Sequence, residues 1–330
     1  MKNLTNRGAF RRLAVASALA LCGLSQQGLA QMDIDFDAVE IRTVPVQGNI
    51  YMLVGAGGNI TVQVGEQGVL VVDTMFEPLA DKVLAAIREL SDKPIQYVIN
   101  THAHGDHVGG NIPIADAGIT IATGNVAIEI AVDELGSRAA IVAHENVLLD
   151  MIKQDSPFDM WPTSSFFTDS KDLHFNGEAI QILHQPYAHT DGDVIIHFRR
   201  SDVIATGDLF QTLSFPFIDV SRGGTLQGII DAANRIIDIA VPERSQEGGT
   251  LIVPGHGRIT DEFELVEYRD MLTIIRDRVE ILVDEGASLD EVKDMNVTGG
   301  WNNRYGRDSG FWTTEQFVET VYRELSGQDT

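Results

Sequence analysis

Residues 101–110 read Thr-His-Ala-His-Gly-Asp-His-Val-Gly-Gly and follow the apolar run from Tyr97 to Ile99, which is typical of a buried strand. Side chains alternate along a strand end, so two histidines share one side, and the glycines allow a sharp turn that brings the next two polar side chains back. Three imidazoles and a carboxylate suit a borderline cation such as Zn²⁺. The four candidate ligands in this stretch are His102, His104, Asp106 and His107. Because four residues from one loop do not complete a centre, we expect further ligands elsewhere.

The composition is that of a soluble globular protein with an acidic surface. The chain has 330 residues, 44% of them hydrophobic, which is enough for a large core. Its 24 basic residues against 48 acidic ones give a net charge of −24. Such a charge repels phosphate backbones and anionic membranes. We therefore expect a small-molecule substrate rather than a nucleic acid or a membrane as the partner.

The first thirty residues have the pattern of a secretory signal peptide. Basic residues precede an apolar run from Leu13 to Leu24, and Gly28-Leu29-Ala30 supplies small residues at the cleavage positions. We expect cleavage near Ala30 and a periplasmic or secreted domain over residues 31–330, with no membrane attachment afterwards. Export by the general or the twin-arginine route stays open. Cys22 is the only cysteine, so this mature domain has no disulfide, thiolate ligand or cysteine nucleophile.

The remaining pattern predicts strands that alternate with helices. Helices are expected at 78–90, 109–117, 127–135, 226–240, 261–284 and 314–325. Strands are expected at 49–54, 59–64, 68–72, 95–99, 119–122, 179–183, 194–198, 203–205 and 250–253. Two such runs predict two sheets back to back with helices outside. The Gly- and aromatic-rich stretch 299–312 is interpreted as a packed surface loop.

Three more candidate ligands lie at glycine-containing strand ends. His189 precedes a predicted strand, and Asp208 and His256 each follow one. Singly, each would fit a hydrogen-bonded loop residue. Together with the four residues of the 101–110 stretch they make seven ligands, enough for two metals that share a bridge.

On these residues the sequence resembles the metallo-β-lactamase superfamily, whose signature has the same order of ligands. The resemblance implies a four-layer αβ/βα sandwich. It also implies that the first zinc is bound by His102, His104 and His189, the second by Asp106, His107 and His256, and that Asp208 bridges the two. It further suggests Asp73 as a buried support for the metal loop, although a turn or cap carboxylate fits that position equally well.

Such a centre predicts hydrolysis with two Zn²⁺ per chain, with manganese or iron as acceptable substitutes. Two cations about 3.5–4 Å apart lower the pKa of a bridging water and so supply hydroxide near neutral pH. Asp106 is the candidate catalytic residue, because it could orient that hydroxide as well as bind metal.

The substrate stays open at this point. An ester, thioester, lactone or related small molecule is favoured. A β-lactamase is the alternative, although an aspartate stands where the best-known subclass has cysteine, and the lysine expected after it is replaced by residues 209–211. A non-catalytic metal-binding accessory protein of a periplasmic oxidation system is the third hypothesis, since 141–146 and 219–224 resemble a bacterial branch linked to such systems.

Several side chains near the motifs have two interpretations. Tyr187 faces substrate or packs, and Arg222 binds an anionic group or forms a loop salt bridge. The stretch 156–170, with Trp161, Phe166 and Phe167, overhangs the cleft or forms a satellite apolar cluster. His144 is favoured as a helix cap rather than as part of a further metal site.

Overall fold

The computed structural model describes residues 34–119 and 138–328 and contains two β-sheets. The first sheet has seven strands in sequence order, antiparallel from β1 to β4 and parallel from β4 to β7. These strands are β1 Arg42–Gln47, β2 Ile50–Val54, β3 Ile60–Gly65, β4 Gly68–Val72, β5 Ile95–Ile99, β6 Ala140–His144 and β7 Ser164–Phe166.

The second sheet has six strands in the order β13-β12-β11-β10-β9-β8. All its neighbours are antiparallel except β11 and β12. These strands are β8 Ser170–Phe175, β9 Glu178–His184, β10 Val194–Phe198, β11 Val203–Ala205, β12 Leu251–Val253 and β13 Thr260–Asp261.

The described helices vary from one turn to six turns. They are α1 Ala80–Leu90, α2 Gly105–Val108, α3 Asn111–Asp116, α4 Glu145–Lys153, α5 Leu226–Ile239, α6 Glu262–Asp284, α7 Leu289–Asp294, α8 Asn302–Tyr305 and α9 Thr314–Ser326. Within residues 34–119 and 138–328, no helix has the length and apolar character needed to cross a membrane.

Alternating side chains make both faces of each sheet apolar and produce the layers. In β4, Val69 and Val71 pack against α1 on the outer face, whereas Leu70 and Val72 join the core between the sheets. In the second sheet, Ile195 faces α5, α6 and α9. Strands that are buried on both faces need apolar residues at every position, which explains their continuous apolar runs. The predicted αβ/βα sandwich is confirmed.

Five of the described strands were not predicted from the sequence, namely β1, β6, β7, β8 and β13. No residue of β1 is buried and the strand includes Pro45, β7 is only three residues long and β13 only two, so none of these three gives a clear period of two. The helix predicted over 109–117 is confirmed as α3 over residues 111–116, whereas α2 lies before the predicted range. Pro113 lies in the first turn of α3, where it breaks no helical hydrogen bond. The strand predicted over 119–122, beyond Ile119, and the helix predicted over 127–135 lie outside the described residues.

The strand ends that carry the candidate ligands lie along one edge of the sandwich. The parallel strands β4 and β5 both end there, as do β11 and β12 of the second sheet. Hydrogen bonds join the two sheets at this edge, from Val194 N to Thr101 O at 3.0 Å and from Asn59 N to Gly255 O at 2.7 Å. The loops after these strands therefore come together.

Candidate metal centre

The first sheet supplies four candidate ligands from the loop that follows β5. The backbone stays extended through His104 (φ −74°, ψ 145°), and α2 then begins at Gly105 and reverses the chain. His102 and His107 are fully buried. The turn that glycine was expected to allow is thus a single helical turn, and it directs Asp106 and His107 back toward the two preceding histidines.

The second sheet supplies the other three. His189 lies in the loop between β9 and β10, Asp208 in a 3-10 turn directly after β11, and His256 directly after β12. Asn59 of the first sheet holds this last loop, because its Nδ2 donates to Pro254 O at 2.9 Å and to Gly257 O at 3.1 Å.

All seven predicted ligands come together, in two groups whose ligand atoms each lie within 4.8 Å of one another. The first group is His102, His104, His189 and Asp208, and the second is Asp106, His107 and His256.

Asp208 faces both groups. Its Oδ2 lies 3.6 Å from His189 Nε2, whereas its Oδ1 lies 3.2 Å from His107 Nε2 and 3.3 Å from His256 Nε2. A Cβ on Gly255 would lie 2.0 Å from Oδ1, so only glycine leaves room for this carboxylate. The carboxylate therefore offers one oxygen to each group of candidate ligands.

Hydrogen bonds fix which nitrogen of each imidazole faces the centre. The Thr101 hydroxyl donates its one proton to Asp73 Oδ2 at 2.7 Å, so His102 Nδ1, 2.9 Å from the same hydroxyl, must donate to it. His107 Nδ1 donates to Asp73 Oδ2 at 2.7 Å, and His189 Nδ1 donates to Phe217 O at 2.7 Å. The Nε2 lone pairs of these three rings therefore point into the centre.

The His104 ring has the opposite tautomer from the three rings above. Its Nε2 donates to Asp219 Oδ2 at 2.8 Å, which leaves the lone pair on Nδ1. That Nδ1 lies 2.9 Å from His189 Nε2, so two lone pairs face each other at hydrogen-bond distance. A cation between the two nitrogens removes this conflict.

Two buried polar atoms in the centre also lack a hydrogen-bond partner among the described residues, His102 Nε2 and Asp208 Oδ1. Unpaired buried polar atoms are costly, and both belong to candidate ligands. The donor set, imidazole nitrogens and carboxylate oxygens, fits zinc and related divalent cations. The residues present therefore fit a metal centre.

The electrostatics favour the neutral form of two imidazoles of the first group, those of His102 and His189. Burial, reinforced by the neighbouring His107, holds the pKa of His102 well below its ordinary value, and burial lowers the pKa of His189 to about 4. Neutral imidazoles are the form that binds metal. For Asp208, burial acts to raise the pKa, but His256 and His107 lower it well below the ordinary value, so the carboxylate is ionised.

In the second group, the pKa of one imidazole is shifted in the opposite direction. Burial acts to lower the pKa of His107, but the carboxylates of Asp208, Asp106 and Asp73 raise it well above the ordinary value. This concentration of negative charge attracts a proton to His107, and it attracts a divalent cation for the same reason.

Asp73 has the supporting role that was one of its two interpretations. It is buried, and besides His107 it accepts from Thr101 N at 2.8 Å and from the Thr101 hydroxyl. Its backbone has φ 63°, a conformation that aspartate tolerates better than most residues. One carboxylate thus orients a ligand of each group.

The structure distinguishes between the two interpretations of three other side chains near the motifs. His144 caps α4 by accepting from Asn146 N at 3.3 Å, which confirms the capping role. Arg222 forms an ion pair with Asp219, as the salt-bridge interpretation expected, and its Nη1 also lies 3.0 Å from His104 Nε2. The Tyr187 side chain is 60% exposed, so it is not a packing residue.

Most residues of the 156–170 stretch are exposed, but two of its aromatic side chains, Trp161 and Phe166, are packed. Trp161 joins a satellite cluster behind the metal loop, with Ala103 and Val108 among its members. Phe166 is buried in β7 between the sheets, and Phe167 is 76% exposed. The overhanging interpretation is therefore wrong for Trp161 and Phe166.

Two supporting residues were missed, Thr101 and Asp219. Asp219 is buried, and its pKa lies below the ordinary value: burial acts to raise it, but hydrogen bonds from His104 and Ser221 and the Arg222 guanidinium lower it. It lies far from the 101–110 stretch in sequence and has no local signal. Thr101 precedes the first histidine, and a hydroxyl there has many other uses.

Comparison with known proteins agrees with this geometry. The sequence matches the metallo-beta-lactamase superfamily over residues 53–269. It is 24% identical over 257 residues to the linear primary-alkylsulfatase of Pseudomonas sp. (strain ATCC 19151), covering 68% of this chain and 47% of that protein. It is 20% identical over 207 residues to the metallo-beta-lactamase type 2 of Bacillus sp. (strain 170), covering 62% and 69%.

Solved structures share the fold. The stereoselective inverting sec-alkylsulfatase Pisa1 from Pseudomonas sp. superposes with a TM-score of 0.65 at 15% identity, over 88% of this chain and 51% of that one. The DIM-1 metallo-beta-lactamase superposes with a TM-score of 0.52 at 17% identity, over 71% and 98%. The chain spans about half the length of the alkylsulfatases it matches. On the match over residues 53–269, the chain belongs to the metallo-β-lactamase superfamily of hydrolases.

Proposed function

We propose that the chain is an exported hydrolase with two zinc ions, acting on a carboxylic ester, thioester, lactone or related small molecule. The observation that carries the proposal is the placement of Asp208, whose two oxygens face different groups of ligands. A carboxylate in that position would be shared by metals bound at the two groups, and two such metals would supply polarisation of the substrate oxygen and activation of water.

Different residues of the chain would bind the metals, accept a proton and align the imidazole rings. The inward lone pairs of His102, His104 and His189 keep the first group ready to bind metal without a change of tautomer. The Asp106 side chain is 22% exposed, and its Oδ2 lies 3.4 Å from His256 Nε2. Because the carboxylate is both partly exposed to solvent and beside the candidate ligands, it can accept a proton from a water molecule at the centre. Asp73 and Asp219 keep the rings aligned.

The charge of the chain supports a small uncharged substrate group. A net charge of −24 disfavours nucleic acids and polyanions. Lactams enter the test because one relative is named a metallo-beta-lactamase.

Sulfate ester hydrolysis is the second candidate. A relative that is 24% identical over 257 residues is named a linear primary-alkylsulfatase. Arg222 lies beside His104 with 23% of its side chain exposed, which offers a cation for a sulfate oxygen. Its ion pair with Asp219 weakens that attraction, so we place this candidate second.

The test is a metal analysis with a hydrolase panel on the purified protein. Protein loaded with zinc, manganese or iron is assayed on carboxylic esters, thioesters, lactones, β-lactams and alkyl sulfates. We expect two metals per chain and turnover of an ester, thioester or lactone, with Asp208→Asn as the inactive control. Turnover of alkyl sulfates alone would establish the second candidate, and fewer than one metal per chain with no turnover of any substrate would refute the enzyme proposal.

Export is a separate part of the proposal. It is supported by the basic and apolar pattern of residues 1–30, which lie outside the described residues. Expression of the full chain in a bacterium, followed by mass measurement of the periplasmic protein, tests it. We expect a mature chain that begins at Gln31; an uncleaved cytoplasmic chain would contradict export without affecting the catalytic proposal.

A further inference from the structure

We infer that Leu213, Phe217 and Phe311 form an apolar rim that binds the hydrocarbon group of the substrate beside the metal centre. The inference rests on the proposed function and deepens it, because it assigns a substrate class to the centre: esters or thioesters whose acyl group is an extended hydrocarbon. Phe311 lies beyond residues 53–269, the part of the chain that matches the superfamily.

Two of the three rim residues, Leu213 and Phe217, belong to residues 211–217, a segment that runs beside both groups of ligands. At one end, Gln211 forms a bridge with His256, and Thr212 N donates to His256 O at 3.1 Å. At the other end, Phe217 O accepts from His189 Nδ1 at 2.7 Å.

The Phe217 ring stands next to the first group. It lies 5.7 Å from the His104 ring and 5.6 Å from the His189 ring, measured between centroids. When the reacting bond of a substrate lies at the centre, the carbon atoms next to that bond can therefore contact the Phe217 ring.

The C-terminal part of the chain holds this segment in place. Phe215 N donates to Tyr305 O at 3.0 Å, and Trp312 Nε1 donates to Pro216 O at 2.9 Å. The Phe311 ring then packs edge-on against Phe217 at 4.8 Å. The packed surface loop predicted at 299–312 thus extends the aromatic surface outward from the centre.

The rim exposes apolar surface where the centre itself is polar. Leu213 is 49% exposed and Phe311 37% exposed. Leu213 borders the His256 loop, since a Cβ on Gly257 would lie 3.3 Å from its Cγ. Exposed apolar side chains beside a polar site are typical of a subsite for an apolar ligand group. Covering Leu213 and Phe311 with a hydrocarbon removes apolar area of both partners from water.

The test compares chain lengths at a constant leaving group. The zinc-loaded protein is assayed on p-nitrophenyl acetate, butyrate, hexanoate and octanoate. We expect kcat/KM to rise about fivefold per two methylenes, since a half-covered methylene contributes part of the full transfer free energy. Phe311→Ala is expected to reduce this dependence below about twofold, and Phe311→Leu to restore most of it.

The matched control is Phe263→Ala. Phe263 is 66% exposed in the first turn of α6, and β13 before it runs antiparallel to β12, away from the edge that carries the ligands. We expect this variant to keep the chain-length dependence of the natural protein. A Phe311→Ala protein that keeps the full dependence, or a Phe263→Ala protein that loses it equally, would overturn the inference.

A binding measurement separates this inference from the proposed function. Calorimetry with n-alkanethiols from ethyl to octyl, whose sulfur binds zinc, reports the rim without turnover. If no ester is hydrolysed but thiol affinity still rises with chain length, and Phe311→Ala removes this rise, the proposed function is refuted and the inference about the rim is supported. Hydrolysis with no dependence on chain length in either assay would leave the function and refute the rim.

Discussion

Asp73→Asn is the sharpest test of how the centre is organised, because Asp73 contacts no substrate and supports both groups. The carboxylate accepts from Thr101 N, from the Thr101 hydroxyl and from His107 Nδ1 at 2.7–2.8 Å. Asparagine keeps the volume and tolerates φ 63°, so the backbone is not strained. The change replaces one acceptor oxygen by a donor.

The magnitude follows from these contacts. With the amide oxygen retained by Thr101 N, the NH₂ group faces two donors at the position of Oδ2. The conflict is relieved when His107 moves its proton to Nε2, which removes its lone pair from the centre. Hydrogen bonds to a charged group contribute about 1.5–3 kcal/mol, so zinc affinity at the second group should fall about tenfold to a hundredfold. The effect on the first group, through Thr101 and His102, should be smaller.

The assay is a competition titration with a chromophoric zinc chelator, with urea unfolding of the metal-free protein in parallel. Asp202→Asn is the matched control: Asp202 is also buried, has φ 53° and accepts from Thr250 Oγ1 at 2.7 Å, but it lies outside both groups. We expect it to lower stability without changing zinc affinity. If Asp73→Asn keeps the affinity of the second group within twofold, or if both variants lose affinity equally, the orienting role is refuted.

Three further outcomes follow from the site and its surroundings. Asp208→Asn should lower zinc from two ions per chain to one and kcat/KM by at least about a hundredfold, which metal analysis and the ester assay check; unchanged stoichiometry would contradict the bridge. Gly255→Ala should produce a similar loss in a folded protein, since its Cβ would lie 2.0 Å from Asp208 Oδ1; normal zinc content would show that the carboxylate has room. Burial and the stacked His184 lower the pKa of His144 to about 4. Between about pH 6.5 and 4 the unfolded chain therefore binds one more proton than the folded chain, and the free energy of unfolding falls as the pH falls. Urea unfolding across this range should show a smaller decrease of that free energy in His144→Asn than in the natural protein, and an equal decrease would contradict the lowered pKa of His144.

The sequence was sufficient to predict the layers and to pick out the seven candidate ligands that the structure brings together, for a physical reason. Ligands at strand ends need glycine for the turn and a charged or imidazole side chain for the metal, and both signals are local. The strands buried on both faces, such as β4, are continuous apolar runs that can be recognised without a partner. The bridging position of Asp208 entered only through the resemblance, since a Gly-Asp turn by itself has many uses.

What could not be predicted depends on contacts between distant residues. Asp219 orients His104 from 115 residues away, and Phe217 orients His189 through its backbone carbonyl, which any residue type would supply. The edge strand β1 has no buried residue, so its pairing with β2 rather than an alternating pattern makes it a strand. Neither kind of information is contained in a window of sequence.

The centre also connects the two halves of the sandwich, because neither group can be completed by one sheet. The first group combines His102 and His104 of the first sheet with His189 of the second, and the second group adds His256 to residues of the first sheet. A metal would therefore bind to either group only when the sheets are packed with their strand ends aligned, and its binding free energy would add to the free energy of that packing. The hydrogen bond from Asn59 N to Gly255 O and the steric fit of Gly255 against Asp208 act at the same contact. The aligned edge is thus where folding stability and metal affinity are determined together.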